Sequence, residues 1–393
     1  VKKILYCLLD GYGDVPCKTL GGKTPLEAAK TPGMDARLGG GSCGLLEPMG
    51  LGKDVPISDA SAMTFSFLGY DVRAFPHGRG MIEAVGTGLK ILDGDFVARC
   101  NFATVDADGK ILDMRAGRIR ETKELEAALN GIDLGVNFEF KATAGYRGLL
   151  WFKGGRFSEK VSPVDPHEVG KKIMAATPLA PEAKETAELL NEFMREARNA
   201  LAGTETNAER RKKGLPEANA ILARGYSAAT PKLEPFAKKF GVKPAAVTGI
   251  AVNVGICRLL GIPVIDVAED VGDNSKEMEL KKAPVLKAID NHDFVFVHFK
   301  TIDVAGHDAK PLAKVGEIER TDAFLRGLDF QGVRALGADH CTRSEEGRHS
   351  TDLIPYLLSK REGKPRKFSE AECARGKKIA QFDFVQAALD LAK

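Results

Sequence analysis

Phe294-Val295-Phe296-Val297-His298-Phe299 reads as a buried strand, and just beyond it comes Asp303-Val304-Ala305-Gly306-His307. An almost unbroken apolar run of this length suits a strand covered on both faces. If the segment after it turns helically, a carboxylate and an imidazole four residues apart share one face. The same pairing recurs downstream. After a helix-period stretch from about Leu312 to Leu328, Val333-Arg334-Ala335-Leu336 reads as a second strand. It runs into Gly337-Ala338-Asp339-His340, with His349-Ser350-Thr351-Asp352 close behind. Carboxylates and imidazoles together suit borderline divalent ions such as Mn²⁺, Zn²⁺ or Co²⁺, whereas Mg²⁺ or Ca²⁺ alone would call for oxygen ligands. The cluster therefore predicts one or two transition-metal ions.

Working outward, strand and helix signals alternate at both ends of the chain. Lys3 to Leu9 is a short apolar run closed by Asp10-Gly11, and Thr24 caps a helix whose first position is Pro25. Thr248 to Leu260 reads as an apolar helix, Ile262 to Val267 as a strand, and Lys276 to Asp290 as another helix. Such alternation predicts an α/β core with a mainly parallel sheet flanked by helices. Ligands collect at the carboxyl ends of parallel strands, so Asp10, Asp303 and Asp339 are expected to converge. The middle of the chain differs. Arg99 to Val105 and Gly148 to Phe152 read as strands among charge-rich turns, and Pro181 to Ala202 carries an apolar stripe at helical spacing. The reading is a discontinuous core, 1–77 and 181–393, with a smaller inserted α+β domain at 78–180. The stretch from Gly203 to Pro216 is expected to be a connecting loop.

Composition narrows the classes. A chain of 393 residues with 44% hydrophobic content can bury a large core, and a net charge of +3 points to neither nucleic acid nor membrane. Arg210-Arg211-Lys212-Lys213 is read as a solvated helix face or loop. No apolar stretch approaches the roughly 20 residues of a membrane span, and the first residues run into a charged turn instead of a cleavable signal. Seven cysteines without a Cys-x-x-Cys pair argue for reduced thiols and a cytoplasmic protein.

Two clustered cations commonly clamp a phosphoryl group and activate an oxygen nucleophile. Ser58 follows a Gly- and Pro-punctuated loop and precedes the apolar stretch Ala60 to Leu68, where a helix can begin. Alone it reads as a helix cap; beside a metal cluster it reads as the nucleophile, with helix N–H groups to hold a phosphate.

These segments, in this order, resemble the archaeal-type cofactor-independent phosphoglycerate mutases, a branch of the alkaline phosphatase superfamily. The resemblance rests on Leu9-Asp10-Gly-Tyr-Gly-Asp14, Lys23-Thr-Pro-Leu-Glu-Ala-Ala-Lys30, Leu68-Gly-Tyr-Asp71, Gly78-Arg79-Gly80, Arg99-Cys-Asn-Phe-Ala-Thr-Val-Asp106, Arg115-Ala-Gly-Arg118, Asp165-Pro-His-Glu168, Asp303-x-Ala-Gly-His307-Asp308, Ala338-Asp339-His340 and His349-Ser-x-Asp352. It spans nearly the whole chain. It implies an alkaline-phosphatase-like core and a two-metal site, usually with Mn²⁺, although Zn²⁺, Co²⁺ or Mg²⁺ would also serve. Asp10, Ser58, Asp339 and His340 would hold one ion, and Asp303, His307 and His349 the other. Ser58 would take the phosphoryl group of 3-phosphoglycerate and return it to the 2-hydroxyl of the bound glycerate, giving 2-phosphoglycerate. Arg79, Arg99, Arg115, Arg118 and Arg224 would hold the small phosphorylated substrate, and the inserted domain would close over it.

The chain departs from the family pattern near the chemistry. Ala62 stands at a usually polar position, and about two residues are added before Leu68, which makes Ser61 a second candidate nucleophile. Val254 replaces a common lysine. Asp339-His340-Cys341-Thr342-Arg343-Ser344 replaces Asp-His-Ser-Thr-Pro-Cys, with Arg343 a candidate replacement cation. An intact ligand set beside an altered substrate set carries two further readings. One is a phosphatase or phosphomutase acting on another phosphorylated metabolite, and the other is a non-catalytic metal- or phosphoester-binding relative.

Overall fold

A computed structural model describes residues 3–48, 60–71, 78–229, 232–268 and 274–393. The chain forms two compact units, one made of residues 1–75 and 233–393 and the other of 76–232.

The first unit is built on an eight-stranded sheet. With strands numbered in chain order, these are β1 (Ile4–Leu9), β2 (Gly41–Glu47), β8 (Pro244–Val247), β9 (Val264–Ile265), β10 (Phe294–Phe299), β11 (Val333–Gly337), β14 (Ile354–Ser359) and β15 (Lys377–Ala380), in the spatial order β15-β2-β14-β11-β1-β10-β8-β9. Only β14 runs against the others. The expected mainly parallel sheet is therefore present, with an antiparallel strand inserted near one edge. The central strand β1 (Ile-Leu-Tyr-Cys-Leu-Leu) is buried at every residue because helices cover both faces of a parallel sheet. It pairs with β10 on one side and β11 on the other, Leu9 lying opposite Phe299 and Leu8 opposite Gly337. The three strands whose ends carry Asp10, Asp303 and Asp339 are thus immediate neighbours in register. The helix at Pro25–Ala28 begins as its sequence predicts: Thr24 accepts from the Glu27 N–H while Glu27 accepts from the Thr24 N–H, with Pro25 at the first position.

The second unit is an antiparallel sheet of β3 (Phe96–Val105), β4 (Ile111–Asp113), β5 (Phe138–Ala142), β6 (Arg147–Phe152) and β7 (Ala220–Ser227), packed on the helix Lys184–Ala202. The expected boundary at 180 is too early. Leu189, Leu190, Phe193, Ala197 and Leu201, the apolar stripe of that helix, join the core of the insert, and β7 pairs with β3 along six registers between Val97 and Ala103. The stripe is visible in the sequence, but the sheet that it covers is not. The stretch from Gly203 to Pro216 is also not simply a loop. It contains the helix Glu205–Lys212, capped by the Thr204 hydroxyl, which accepts from the Asn207 N–H. The buried Asn207 amide in turn donates to the carbonyls of Leu201 and Ala218, so a polar sequence is pinned by capping and one buried side chain. The basic run 210–213 ends this helix and is largely exposed, as expected.

Two measurements test this architecture. Phe193 lies with its ring centroid 6.1 Å from Phe140 and 5.8 Å from Phe138, so Phe193→Ala should cost about 3–5 kcal/mol and lower the urea midpoint of the insert before that of the core. In the core, the Glu370 carboxyl has one oxygen shut off from solvent without a partner. Burial raises its pKa from 4.5 to about 7, only partly opposed by the Thr24 hydroxyl. The folded state holds that proton more tightly than the unfolded one, so stability falls as pH rises from about 4.5 to 7. Glu370→Gln should flatten that part of a stability–pH profile.

Candidate metal centre

The ends of β11, β1 and β10 deliver the acidic residues. Asp10 follows β1 directly. Asp303 lies in the first turn of the helix Thr301–His307 that leaves β10, and Asp339 lies just past β11. All three are almost fully buried, as is His340. His307 ends that helix, four residues after Asp303 and on the same face. His349 comes from the short ribbon of β12 (Cys341–Arg343) and β13 (Arg348–Ser350).

Two donor groups result, and Asp303 belongs to both. One is Asp303, His307 and His349; the other is Asp10, Asp303 and His340, the ligand atoms of each group lying within 4.8 Å of one another. In the first, the Nε2 atoms of His307 and His349 face each other at 2.9 Å and lie 3.5 and 3.6 Å from Asp303 Oδ1. In the second, His340 Nε2 lies 3.2 Å from Asp10 Oδ1 and 3.6 Å from Asp339 Oδ1. Despite that proximity, neither His340 Nε2 nor Asp10 Oδ1 makes an aligned hydrogen bond. Buried polar atoms are seldom left so; an imidazole nitrogen and a carboxylate oxygen that face each other as an ion pair without an aligned hydrogen bond fit the donor set of a divalent cation.

The backs of the carboxylates are held separately. Lys300 donates to Asp10 Oδ2 at 3.0 Å and to Asp303 Oδ2 at 2.5 Å, and His298 Nε2 lies 2.9 Å from Asp10 Oδ2. The Oδ1 atoms thereby face the histidines, and that of Asp303 also accepts from the Thr342 hydroxyl at 2.6 Å. Asp339 receives the His340 N–H on Oδ1 and the Thr64 hydroxyl on Oδ2, while Gln381 clamps its carbonyl. Burial would raise the Asp10 and Asp303 carboxyls, but in both Lys300 leads the opposing attractions and holds them well below the usual range. Asp339 is raised, by burial first and then by Asp10, which together outweigh the attractions of His340 and Lys300. Burial disfavours a charged His340, yet Asp339 and Asp10 outweigh it and lift the imidazole to about 9. Three carboxylates against the Lys300 ammonium and the His340 imidazolium leave a site that still draws positive charge to itself.

His298, Lys300 and Thr342 belong to this site and were not singled out in the sequence. His298 lies within the apolar run of β10, where an interior histidine reads as core, and Lys300 is a single lysine at a strand end; neither carries a spacing signal. Gly11 is informative in retrospect. Its φ is +62°, and a Cβ there would sit 2.6 Å from Asp303 Oδ1 and closer still to Thr342 Oγ1. Arg343 is not a free cation: it forms a bidentate pair with Asp352, at 2.8 and 3.2 Å, and meets Glu346 at 3.1 Å. Val254 is buried within the helix Ala251–Leu259. Ser58 lies outside the described residues. Ser61 is in the helix Ala60–Phe67.

In the insert, Arg79 and Arg99 reach the same oxygen of Glu83, at 2.8 and 2.9 Å. Arg99 lies directly across from Arg224 in the β3–β7 pairing, and Arg224 is paired with Asp165. Burial lowers the Arg99 pKa to about 10; Glu83 opposes this, and Arg79, Arg224 and Arg147 add to it. Like charges opposite each other on a sheet destabilise it, and Glu83 and Asp165 offset this repulsion. Arg147, missed in the sequence, has a buried Nε without a partner and shares the Tyr146 ring with Arg115. Arg115 and Arg118 flank a left-handed turn with φ of 45°, 63° and 56° at Ala116, Gly117 and Arg118. Asp113 accepts from the N–H groups of Arg115 and Gly117, and Arg210 donates to the Ala116 carbonyl. Non-glycine residues in that region store strain, which is found at sites that must be held in one geometry.

A mainly parallel sheet with carboxylate and imidazole donors at the ends of its central strands defines an α/β protein with a candidate two-ion centre. A family model for 2,3-bisphosphoglycerate-independent phosphoglycerate mutase matches residues 39–207. Proteins of that name are 39% identical in Methanopyrus kandleri, covering 95% of this chain and 92% of that protein, and 38% identical in Methanocaldococcus jannaschii, covering 95% and 93%. Among solved structures, the cofactor-independent phosphoglycerate mutase of Thermoplasma acidophilum aligns over both whole chains at 28% identity and a TM-score of 0.67. A Pyrococcus horikoshii protein aligns over all of this chain and 97% of its own at 30% and 0.79. The chain belongs to the 2,3-bisphosphoglycerate-independent phosphoglycerate mutase family.

The crowding at Gly11 yields a test. Gly11→Ala combines an unfavourable φ with contact against Thr342 and Asp303, and should lower stability by about 1–3 kcal/mol. A denaturation midpoint equal to that of the parent chain would show that the turn can relax.

Proposed function

We propose that the chain interconverts 3-phosphoglycerate and 2-phosphoglycerate through a phosphoserine, as an isomerase that needs no bisphosphoglycerate. Family membership supports the activity, and the observation that carries the chemistry is Asp303 shared between two donor groups. Asp10, Asp339, His340 and Ser58 are the residues proposed to hold one divalent ion, and Asp303, His307 and His349 the other; Mn²⁺ is the ion we favour for mixed oxygen and imidazole donors. Bound there, the ions supply positive charge to a phosphoryl group and lower the pKa of a coordinated hydroxyl.

Ser58 Oγ bonds to the phosphorus as the bond from phosphorus to the glycerate oxygen breaks, and the proton given up by the serine hydroxyl ends on the departing glycerate oxygen. The glycerate then turns so that its 2-hydroxyl attacks the phosphoserine, restoring Ser58. Arginines suit the planar carboxylate and the phosphate because their fork of donors bonds both bidentately; Arg79, Arg99, Arg115, Arg118 and Arg224 are the proposed set. Retention of glycerate between the two transfers separates a mutase from a phosphatase. Among the described residues no helix is long and apolar enough to cross a membrane, and all seven cysteines are free and buried, which supports a cytoplasmic setting.

The test is product analysis. With 3-phosphoglycerate and Mn²⁺, 2-phosphoglycerate should accumulate to equilibrium with little free phosphate, and a brief exposure should label a peptide containing Ser58. Ser58→Ala should abolish the label and reduce turnover by several orders of magnitude. Free phosphate without 2-phosphoglycerate would sink the mutase reading, and a label on Ser61 would move the nucleophile.

A further inference from the structure

Thr342 is fully buried, and its hydroxyl touches one residue from each donor group. Oγ1 lies 2.6 Å from Asp303 Oδ1 and 3.2 Å from His340 Nδ1. The residue cannot drift. Its N–H meets the carbonyls of Gly11 and Gly13 at 3.2 Å, and its own carbonyl accepts from the buried Lys314 ammonium at 2.6 Å, which is itself fastened to Asp14 and the Gly13 carbonyl. Two glycines make room for the side chain. A Cβ on Gly11 would meet the hydroxyl, and a Cβ on Gly306 would sit 2.7 Å from the Thr342 methyl group.

A hydroxyl has one proton to give. An ionised carboxylate can only accept, so the short bond to Asp303 takes that proton, and what Thr342 turns towards His340 is a lone pair. Nδ1 of His340 must then carry hydrogen. In the neutral ring this leaves Nε2 bare, and Nε2 is the atom aimed at Asp10 and Asp339 with no hydrogen bond of its own.

We infer that Thr342 is a positioning residue that couples the two donor groups: one hydroxyl orients Asp303 for the first and selects the metal-binding tautomer of His340 for the second. The inference rests on the two-ion reading above. Partners that hydrogen-bond to a ligand residue and fix its orientation govern affinity strongly, typically by about 10–100-fold.

The experiment is titration of Mn²⁺ alone into the metal-stripped full-length chain by calorimetry, comparing the parent with Thr342→Val and Thr342→Ser. Valine keeps the shape and removes the hydroxyl, whereas serine keeps the hydroxyl and removes a methyl group. Thr342→Val should weaken both binding events by about 10–100-fold, with Thr342→Ser within about threefold of the parent. Parent-like binding by the valine variant would overturn the inference. So would weakening of one event only, because the coupling would then be absent, or equal weakening by serine, because packing would then be the cause. A parent chain that binds no Mn²⁺ would sink the two-ion reading itself, and this inference with it.

Discussion

The carboxylate of Asp303 is where the core's separate constraints meet. Its Oδ2 is held by Lys300, and its Oδ1 takes the Thr342 hydroxyl while facing His307 and His349. Five segments of chain contribute to that neighbourhood: the turn after β1, the end of β10, the helix Thr301–His307, the turn after β11 and the β12–β13 ribbon. A buried carboxylate without compensation is too costly to tolerate. Each of these segments therefore supplies a donor or the room for one, and the glycines at 11 and 306 are part of that provision because a side chain at either would press on Thr342.

The insert solves the converse problem. Its sheet carries Arg99 opposite Arg224, with Arg79 sharing Glu83 and Arg147 nearby. Two acidic residues, Glu83 and Asp165, hold this positive face together. The turn at Ala116–Arg118 keeps its left-handed backbone through Asp113 and Arg210. One unit thus gathers buried carboxylates around a single lysine, and the other gathers arginines around two carboxylates.

Much of this is legible in the sequence. Apolar runs followed by aspartate predict three parallel strands, and the four-residue spacing of Asp303 and His307 places both on one face once the segment is helical, as the helix Thr301–His307 is. Other parts had no local signal. His298 has the burial and surroundings of a core residue, and only its distance to Asp10 distinguishes it. Arg343 looked like a spare cation until Asp352, nine residues on, was seen to hold it in a bidentate pair. The end of the insert was misplaced because an apolar stripe states that a helix is covered and not by which sheet.

The sequence by itself determined the strands of β1, β10 and β11, the helix capped at Thr24 and the donor types, because hydrophobic period, capping residues and ligand chemistry are local properties of a few residues. Only the tertiary structure decided which atoms meet. It set β1 between β10 and β11, so that aspartates some 290 residues apart share a lysine, and it gave the Oδ2 atoms to Lys300 and turned the Oδ1 atoms towards the histidines. Strand order and side-chain rotamers follow from packing the whole core at once, and no short window of sequence contains that information.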